Sequence, residues 1–280
     1  RRNKEIPYVV FQAEDIDTVI TMYTSGKVLF QGVSADVHAA MWLEMDGQEV
    51  KQKEEKEKET KYYHWNSVGS DEVGTGDYFG PIVVTASYVA KEDIQYLEEL
   101  GIKDSKKLTD EKILDIAPKV AKRIKYRTLI LTNQEYNERH DQDNNMNKIK
   151  AIMHNKVLYQ LIQEEKPKYD YIIVDEFAKE KRYYGYIPNN TPIQRNITFM
   201  TKAEDKNLAV ACSSVISRYI FLKEFDKLSD ALHIPLAKGA GENVDKIGEE
   251  IVREYGKDKL KEVAKLNFKN TQRILKTVIF

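Results

Sequence analysis

One cysteine, Cys212, stands in the 280 residues, so no intrachain disulfide can form. That usage fits a reducing compartment, and the chain is expected in the cytoplasm. No apolar run reaches the roughly 18 residues of a membrane span, and the start carries no signal-peptide pattern. The chain opens on Arg1 rather than Met and enters a strand-like stretch by Tyr8, so residues are expected to precede it. Net charge is nearly absent too: 44 Lys and Arg against 45 Asp and Glu leave −1. That balance excludes no class of partner, and the local distribution of charge has to decide. There is no internal repeat. His64, His154 and His233 have no ligand spacing around them, which leaves them packing or turn roles.

What is present is enough apolar residue, 41%, for a sizeable core. YVVFQ, TVITMY and KVLFQG between Tyr8 and Gly32 read as short strands, with Ser25-Gly26 as a hairpin turn. ADVHAAMWLEM, 35–45, reads as a helix. The next stretch, DGQEVKQKEEKEKET, has almost nothing to bury and reads as a solvated linker or a frayed exposed helix. The chain therefore divides into a small domain at 1–45, a charged linker at 46–63 and a larger domain at 64–280. The larger part alternates strands (67–73, 80–90, 127–132, 171–174) with helices (near 92–99, 109–124, 146–164, 208–228). Thr109 is placed to cap the second of these helices, with Asp110 and Glu111 in its first turn. The tail from Arg253 is helical and basic, with eight Lys and Arg against three Asp and Glu.

Two adjacent acids in GSDEVGTGDYFGPIVV, Asp71 and Glu72, interrupt an apolar strand. Asp175 follows the apolar strand YIIV at once, and Glu204 or Asp205 precedes a helix. Acids at strand ends in an α/β chain mark a site at a sheet edge. None has a basic partner in its local sequence, and clustered carboxylates raise one another's pKa. Oxygen ligands without His or Cys suit Mg²⁺ or Mn²⁺, and two such ions can clamp a phosphodiester displacement. The plain alternative stands beside this one. Successive strand residues point to opposite faces, so Glu72 can be a solvated residue, and Asp175 can be a turn residue.

GSDEVGTGDYFGP, DSKKL at 104–108, NKIKAIMHN at 147–155, YIIVDEFA at 171–178, TKAE at 201–204 and SSVISRY at 213–219 together resemble the bacterial ribonuclease HIII family. That family lies in the type 2 branch of the ribonuclease H enzymes. The resemblance covers about 64–280. It implies an α/β ribonuclease H-like mixed sheet flanked by helices. SGKVLFQG and its helix are similar to that family's small N-terminal α+β substrate-binding domain, of the TATA-binding-protein type, here expected to be truncated at its start.

The resemblance implies an endonuclease that cuts the RNA strand of an RNA/DNA hybrid with Mg²⁺ or Mn²⁺, leaving 5′-phosphate and 3′-hydroxyl ends. Asp71, Glu72, Asp175 and Glu204 are its catalytic, metal-binding acids. Glu204 is chosen over Asp205 by register: Lys202-Ala203-Glu204 mirrors the Lys-Gly-Asp of the sister ribonuclease HII, ten residues before Ser214. The turn Gly74-Thr75-Gly76 stands where ribonuclease HII reads Gly-Arg-Gly beside the substrate 2′-hydroxyl. Ser105, Lys106 and Lys107 match a phosphate-contacting segment. The partner implied is the hybrid, with no membrane and no obligate protein partner, and a monomer is expected. Two rivals remain: a ribonuclease HII-like cutter at single embedded ribonucleotides, and a nucleic-acid-binding protein with a dead site.

Overall fold

A computed structural model describes residues 7–15, 17–45, 62–141 and 143–278. Residues 46–61 of the expected linker lie outside the described residues. The chain divides into two compact units, residues 1–60 and 61–280.

The first unit is an antiparallel sheet of β1 (Val9–Asp15), β2 (Thr18–Tyr23) and β3 (Val28–Gly32), in that order. Gly26 takes a positive φ of 81° in the β2–β3 turn, where a side chain would be strained. Helix α1 (Ala35–Met45) sets Trp42 edge-on to Phe30, with ring centres 5.9 Å apart. One helix beside three strands is the α+β unit expected from the sequence.

The second unit is built on five strands. They are β4 (Ser67–Val73), β5 (Ile82–Val89), β6 (Lys125–Leu131), β7 (Tyr171–Asp175) and β8 (Ile197–Met200). Their order is β6-β5-β4-β7-β8. β4, β5 and β6 pair antiparallel, while β7 and β8 run parallel to β4. The sequence reading lacks β8, whose four residues offer little periodicity. Around the sheet lie α2 (Ile94–Glu99), α3 (Asp110–Arg123), α4 (Asn133–Arg139), α5 (Met146–Glu165) and α6 (Glu180–Tyr186). They are followed by α7 (Leu208–Leu232), α8 (Glu242–Tyr255), α9 (Leu260–Val263) and α10 (Lys269–Val278). Thr109 caps α3 through a bond from the Lys112 amide, as expected.

Strand alternation sorts the core. Val68, Ile172 and Val174 pack with Val157, Leu158 and Leu161 of α5 on one face. On the other, Ala209, Cys212 and Val215 of α7 meet Ile113, Ile116 and Val120 of α3. Helix α7 lies close on β4. A Cβ at Gly69 would sit 2.5 Å from the Val210 amide nitrogen and 2.7 Å from the Ala209 carbonyl carbon. At this approach Ser213 donates to Gly69 O (3.0 Å), Ser217 to Asp71 O (3.2 Å) and Ser87 to Ala209 O (2.7 Å). A third cluster joins Tyr78, Phe79, Phe221 and Phe225 to Val244, Ile251 and Ile274 of the C-terminal helices.

Candidate metal centre at the ends of the central strands

Asp71 and Asp175 end up side by side. The parallel register pairs Ser70 with Val174, so one further step sets Asp71 beside Asp175 at the ends of β4 and β7. In parallel strands such neighbours share a face, here that of α7. The Ser214 hydroxyl of α7 acts on the Asp71 carboxyl and favours its charged form. Asp175 Oδ1 accepts the Ala203 amide at 3.0 Å. That amide opens a 3₁₀ turn, Ala203–Asp205, which carries Glu204.

Glu72 points to the opposite face, toward α5. His154, fully buried, places Nε2 2.8 Å from Glu72 Oε2, and Lys150 Nζ makes an ion pair with Oε1. Neither residue was given this role from sequence. They sit one turn apart on α5, some 80 residues from their partner, so local spacing holds no sign of the contact. Their contacts correct the reading that His154 has only a packing or turn role, while the lack of a basic partner in the local sequence stands. Glu204 also has a cation: Lys106 Nζ lies 2.7 Å from Glu204 Oε1 and 3.1 Å from Asp205 Oδ2. The cap of α7 is Asn207, whose Oδ1 accepts the Ala209 and Val210 amides.

These placements split the two adjacent acids electrostatically. Burial, then the charges of Glu72 and Glu204, push the Asp71 carboxyl well above the usual range, with the Ser214 hydroxyl acting the other way. Burial would raise Glu72 as well. His154 and Lys150 outweigh it and hold the carboxyl down to about 2. Glu204 is among the charges that raise Asp71. Among the described residues no three His, Cys, Asp or Glu side chains form a ready-made metal cage. Glu72 leans on α5 and Glu204 on Lys106. The donor set still fits a hard divalent ion: it is all oxygen, and the charges acting on half-buried Asp71 are anions that such an ion would offset.

The Gly74-Thr75-Gly76 turn leaves β4 beside these acids. Gly74 has a φ of 94°, and a Cβ there would overlap the Pro81 carbonyl oxygen. A Cβ at Gly76 would meet nothing within 4 Å, so the space beside its backbone is open to a ligand. The loop behind the turn is pinned by the C-terminal part of the chain. Fully buried Lys265 donates from Nζ to Asp77 O (2.8 Å) and Gly80 O (2.5 Å), and from its amide to Tyr78 O (2.8 Å). Gly239 N donates to Asp77 Oδ1 at 2.6 Å.

Of the phosphate-contact candidates, Ser105 is buried, while Lys106 and Lys107 are exposed in the 3₁₀ turn Ile102–Lys107. Asp110, just beyond, is held by Arg218 and Lys238. Much of the basic tail is engaged within the chain: Lys265 is buried, Arg273 pairs with Asp245 and Lys259 with Glu262. Tyr183 is buried between Phe177, Tyr184 and Phe199, which makes it a packing residue.

A mixed sheet with helices on both faces, and acids at the ends of adjacent central parallel strands, defines the ribonuclease H class of phosphodiester hydrolases. The profile of the family described as Ribonuclease HII matches residues 68–271, and a Domain of unknown function (DUF3378) matches 1–56. Ribonuclease HIII of Bacillus cereus is 41% identical over 94% of this chain and 88% of its own length. Ribonuclease HIII of Bacillus anthracis matches to the same extent, 41% over 94% and 88%. The structure of Bst-RNase HIII in complex with Mn²⁺ superposes with a TM-score of 0.76 at 36% identity, covering 99% of this chain and 91% of that one. Ribonuclease H2 from Pyrococcus horikoshii OT3 shares the fold, with a TM-score of 0.64 at 24% identity over 76% of this chain and 99% of that one. The chain belongs to the ribonuclease HII family, in its ribonuclease HIII branch, and is an endoribonuclease. Among the described residues no helix is long and apolar enough to cross a membrane.

Proposed function

We propose that the protein cuts the RNA strand of RNA/DNA hybrids, leaving 5′-phosphate and 3′-hydroxyl ends, with Mg²⁺ or Mn²⁺ held by Asp71, Glu72, Asp175 and Glu204. The observation that carries this reading is the pairing of Asp71 and Asp175 on one face of adjacent parallel strands, with half-buried Asp71 facing other anions. When bound, two divalent ions stabilise the attacking and leaving oxygens of a phosphodiester and lower the pKa of a bound water. The chain's own residues prepare the site. The Ser214 hydroxyl favours the charged form of Asp71, and the Ala203 amide fixes the carboxylate of Asp175. The open backbone at Gly76 leaves room for a ribose edge, whose 2′-hydroxyl distinguishes RNA from DNA. Ser105, Lys106 and Lys107 supply phosphate contacts, which dominate affinity for nucleic acid. Residues 1–45 add binding surface for the substrate. The enzyme works in the cytoplasm as a monomer, in keeping with its single, buried Cys212.

The test is an Asp71→Asn variant on a labelled hybrid with Mg²⁺. Cleavage is expected to fall by more than about 100-fold while hybrid affinity stays within a few-fold, because affinity comes from phosphate contacts elsewhere. Turnover within tenfold of wild type refutes the assignment. A parallel duplex holding one embedded ribonucleotide should be cut more slowly than the hybrid, and the reverse ranking would make the enzyme a junction cutter.

A further inference from the structure

The motif NKIKAIMHN, 147–155, helps carry the family resemblance, yet nothing in the chemistry above uses it. Its helix aims two side chains at one carboxylate. Lys150 Nζ meets Glu72 Oε1, and His154 Nε2 meets Glu72 Oε2 at 2.8 Å. We propose that Lys150 and His154 are positioning residues that hold the Glu72 carboxylate at the metal-binding end of the sheet, so that metal affinity depends on them. The proposal rests on the reading of Glu72 as a metal ligand.

Three features argue for a clamp rather than for packing. First, both ring nitrogens of His154 are engaged, and the residue is fully buried. The buried Ser70 hydroxyl lies 2.7 Å from Nδ1. When Ser70 donates to Nδ1, the proton on the neutral ring sits on Nε2 and points at Glu72. This is how hydrogen-bonded partners commonly fix the groups that bind metals. Second, Lys150 is held from two sides, by Glu72 and by the face of Phe177, 4.0 Å from its ring centre. Phe177 lies two residues past Asp175, so the cation spans from the acid of β4 to the segment that leaves β7. Third, Glu72 faces α5 while Asp71 faces α7, and a glutamate has three rotatable bonds. Without a partner on the α5 side its carboxylate would have no fixed direction. Each bond from α5 occupies one lone-pair site of an oxygen that has two, so the other remains open to a cation.

Mn²⁺ binding to the full chain, read from the free-ion resonance signal, tests this without cleavage. Glu72→Gln should weaken binding. His154→Ala should weaken it by about 10- to 100-fold, the usual range for a partner behind a ligand. His154→Gln, which keeps an N–H at a similar reach, should recover most of the loss. Lys150→Met should weaken binding in the same sense. In the Glu72→Gln background His154→Ala should change nothing further, since its effect passes through that carboxylate. Unchanged Mn²⁺ affinity in His154→Ala overturns the proposal, and so does an equal loss in the Glu72→Gln background. A lowered urea midpoint with intact affinity of the folded protein means a structural role, and also overturns it. If Glu72→Gln alone binds Mn²⁺ like wild type, the reading of Glu72 as a ligand falls first and takes this proposal with it.

Discussion

Gly69→Ala concentrates the link between fold and site in one methyl group. The new carbon would lie 2.5 Å from the Val210 amide nitrogen and 2.7 Å from the Ala209 carbonyl carbon, both main-chain atoms of a buried helix start. Side-chain rotation cannot relieve such a contact. To reach an ordinary separation of about 3.5 Å, α7 has to move from β4 by roughly 1 Å. Three hydrogen bonds span that gap, from Ser213, Ser217 and Ser87. Losing them costs about 1 kcal/mol each. Overpacking adds about 1–3 kcal/mol, and the stiffer unfolded chain returns about 0.4–1 kcal/mol. The expected destabilisation is about 3–6 kcal/mol, a large share of the ~5–15 kcal/mol that holds a typical domain folded. Urea unfolding followed by circular dichroism measures it. Single-turnover cleavage by the folded variant should also fall, because Ser217 of the displaced helix donates to the Asp71 carbonyl. A loss below about 1 kcal/mol would show that the helix accommodates the methyl group, and that the close approach is not a constraint.

Glu204→Gln should lower kcat by orders of magnitude, whereas Asp205→Asn should cost little activity and at most about 1 kcal/mol of stability, the worth of an exposed ion pair; single-turnover rates that rank the other way refute the choice of Glu204. A chain starting at Lys61 should keep its chemistry and lose affinity for the hybrid, seen as a raised KM with kcat nearly unchanged if that binding is uniform; an unchanged KM would assign residues 1–60 another role. Lys265 gives a pH dependence. Burial lowers its pKa from 10.5 to about 7, against the pull of Asp77. Between those values the unfolded chain binds more protons than the folded one, so this residue makes stability rise with pH across the window. The stability of wild type relative to Lys265→Met should therefore climb by up to about 1.4 kcal/mol per pH unit between pH 7.5 and 9.5. Urea titrations at the two pH values check this, and a constant difference counts against it. Comparison with the variant matters because buried Cys212, whose thiol burial pushes up, opposes the trend in both proteins.

Much of this architecture is legible in the sequence wherever a pattern is local. The Thr109 cap, the apolar stripe of α5 and the short apolar β7 all lie where periodicity and capping place them. Helix α4 carried a usable sign that went unread, the capping box between Thr132 and Glu135. Asn207, just before the apolar start of α7, is likewise a cap that the local sequence offers. The rest depends on contacts between distant segments. β8 is four residues long and takes its identity from pairing with β7. His154 reads as a lone histidine on an apolar stripe until the fold brings Glu72 to it across 82 positions. Lys265 reads as one more charge in a basic tail, although three backbone carbonyls of the loop at 77–80 accept hydrogen bonds from it.

The two glycines of the turn beside the acids answer to different masters. The backbone angle and the Pro81 carbonyl both demand Gly74, so substitution there disturbs the protein whether or not nucleic acid is present. Gly76 stands in open space, and nothing inside the molecule requires it. In a library varied at both positions and sorted once for folding and once for cleavage, position 74 should be depleted in both sorts. Position 76 should drift freely in the first and be restricted only in the second. Two identical letters one residue apart would then record separate histories, one written by the chain itself and the other by what it cuts.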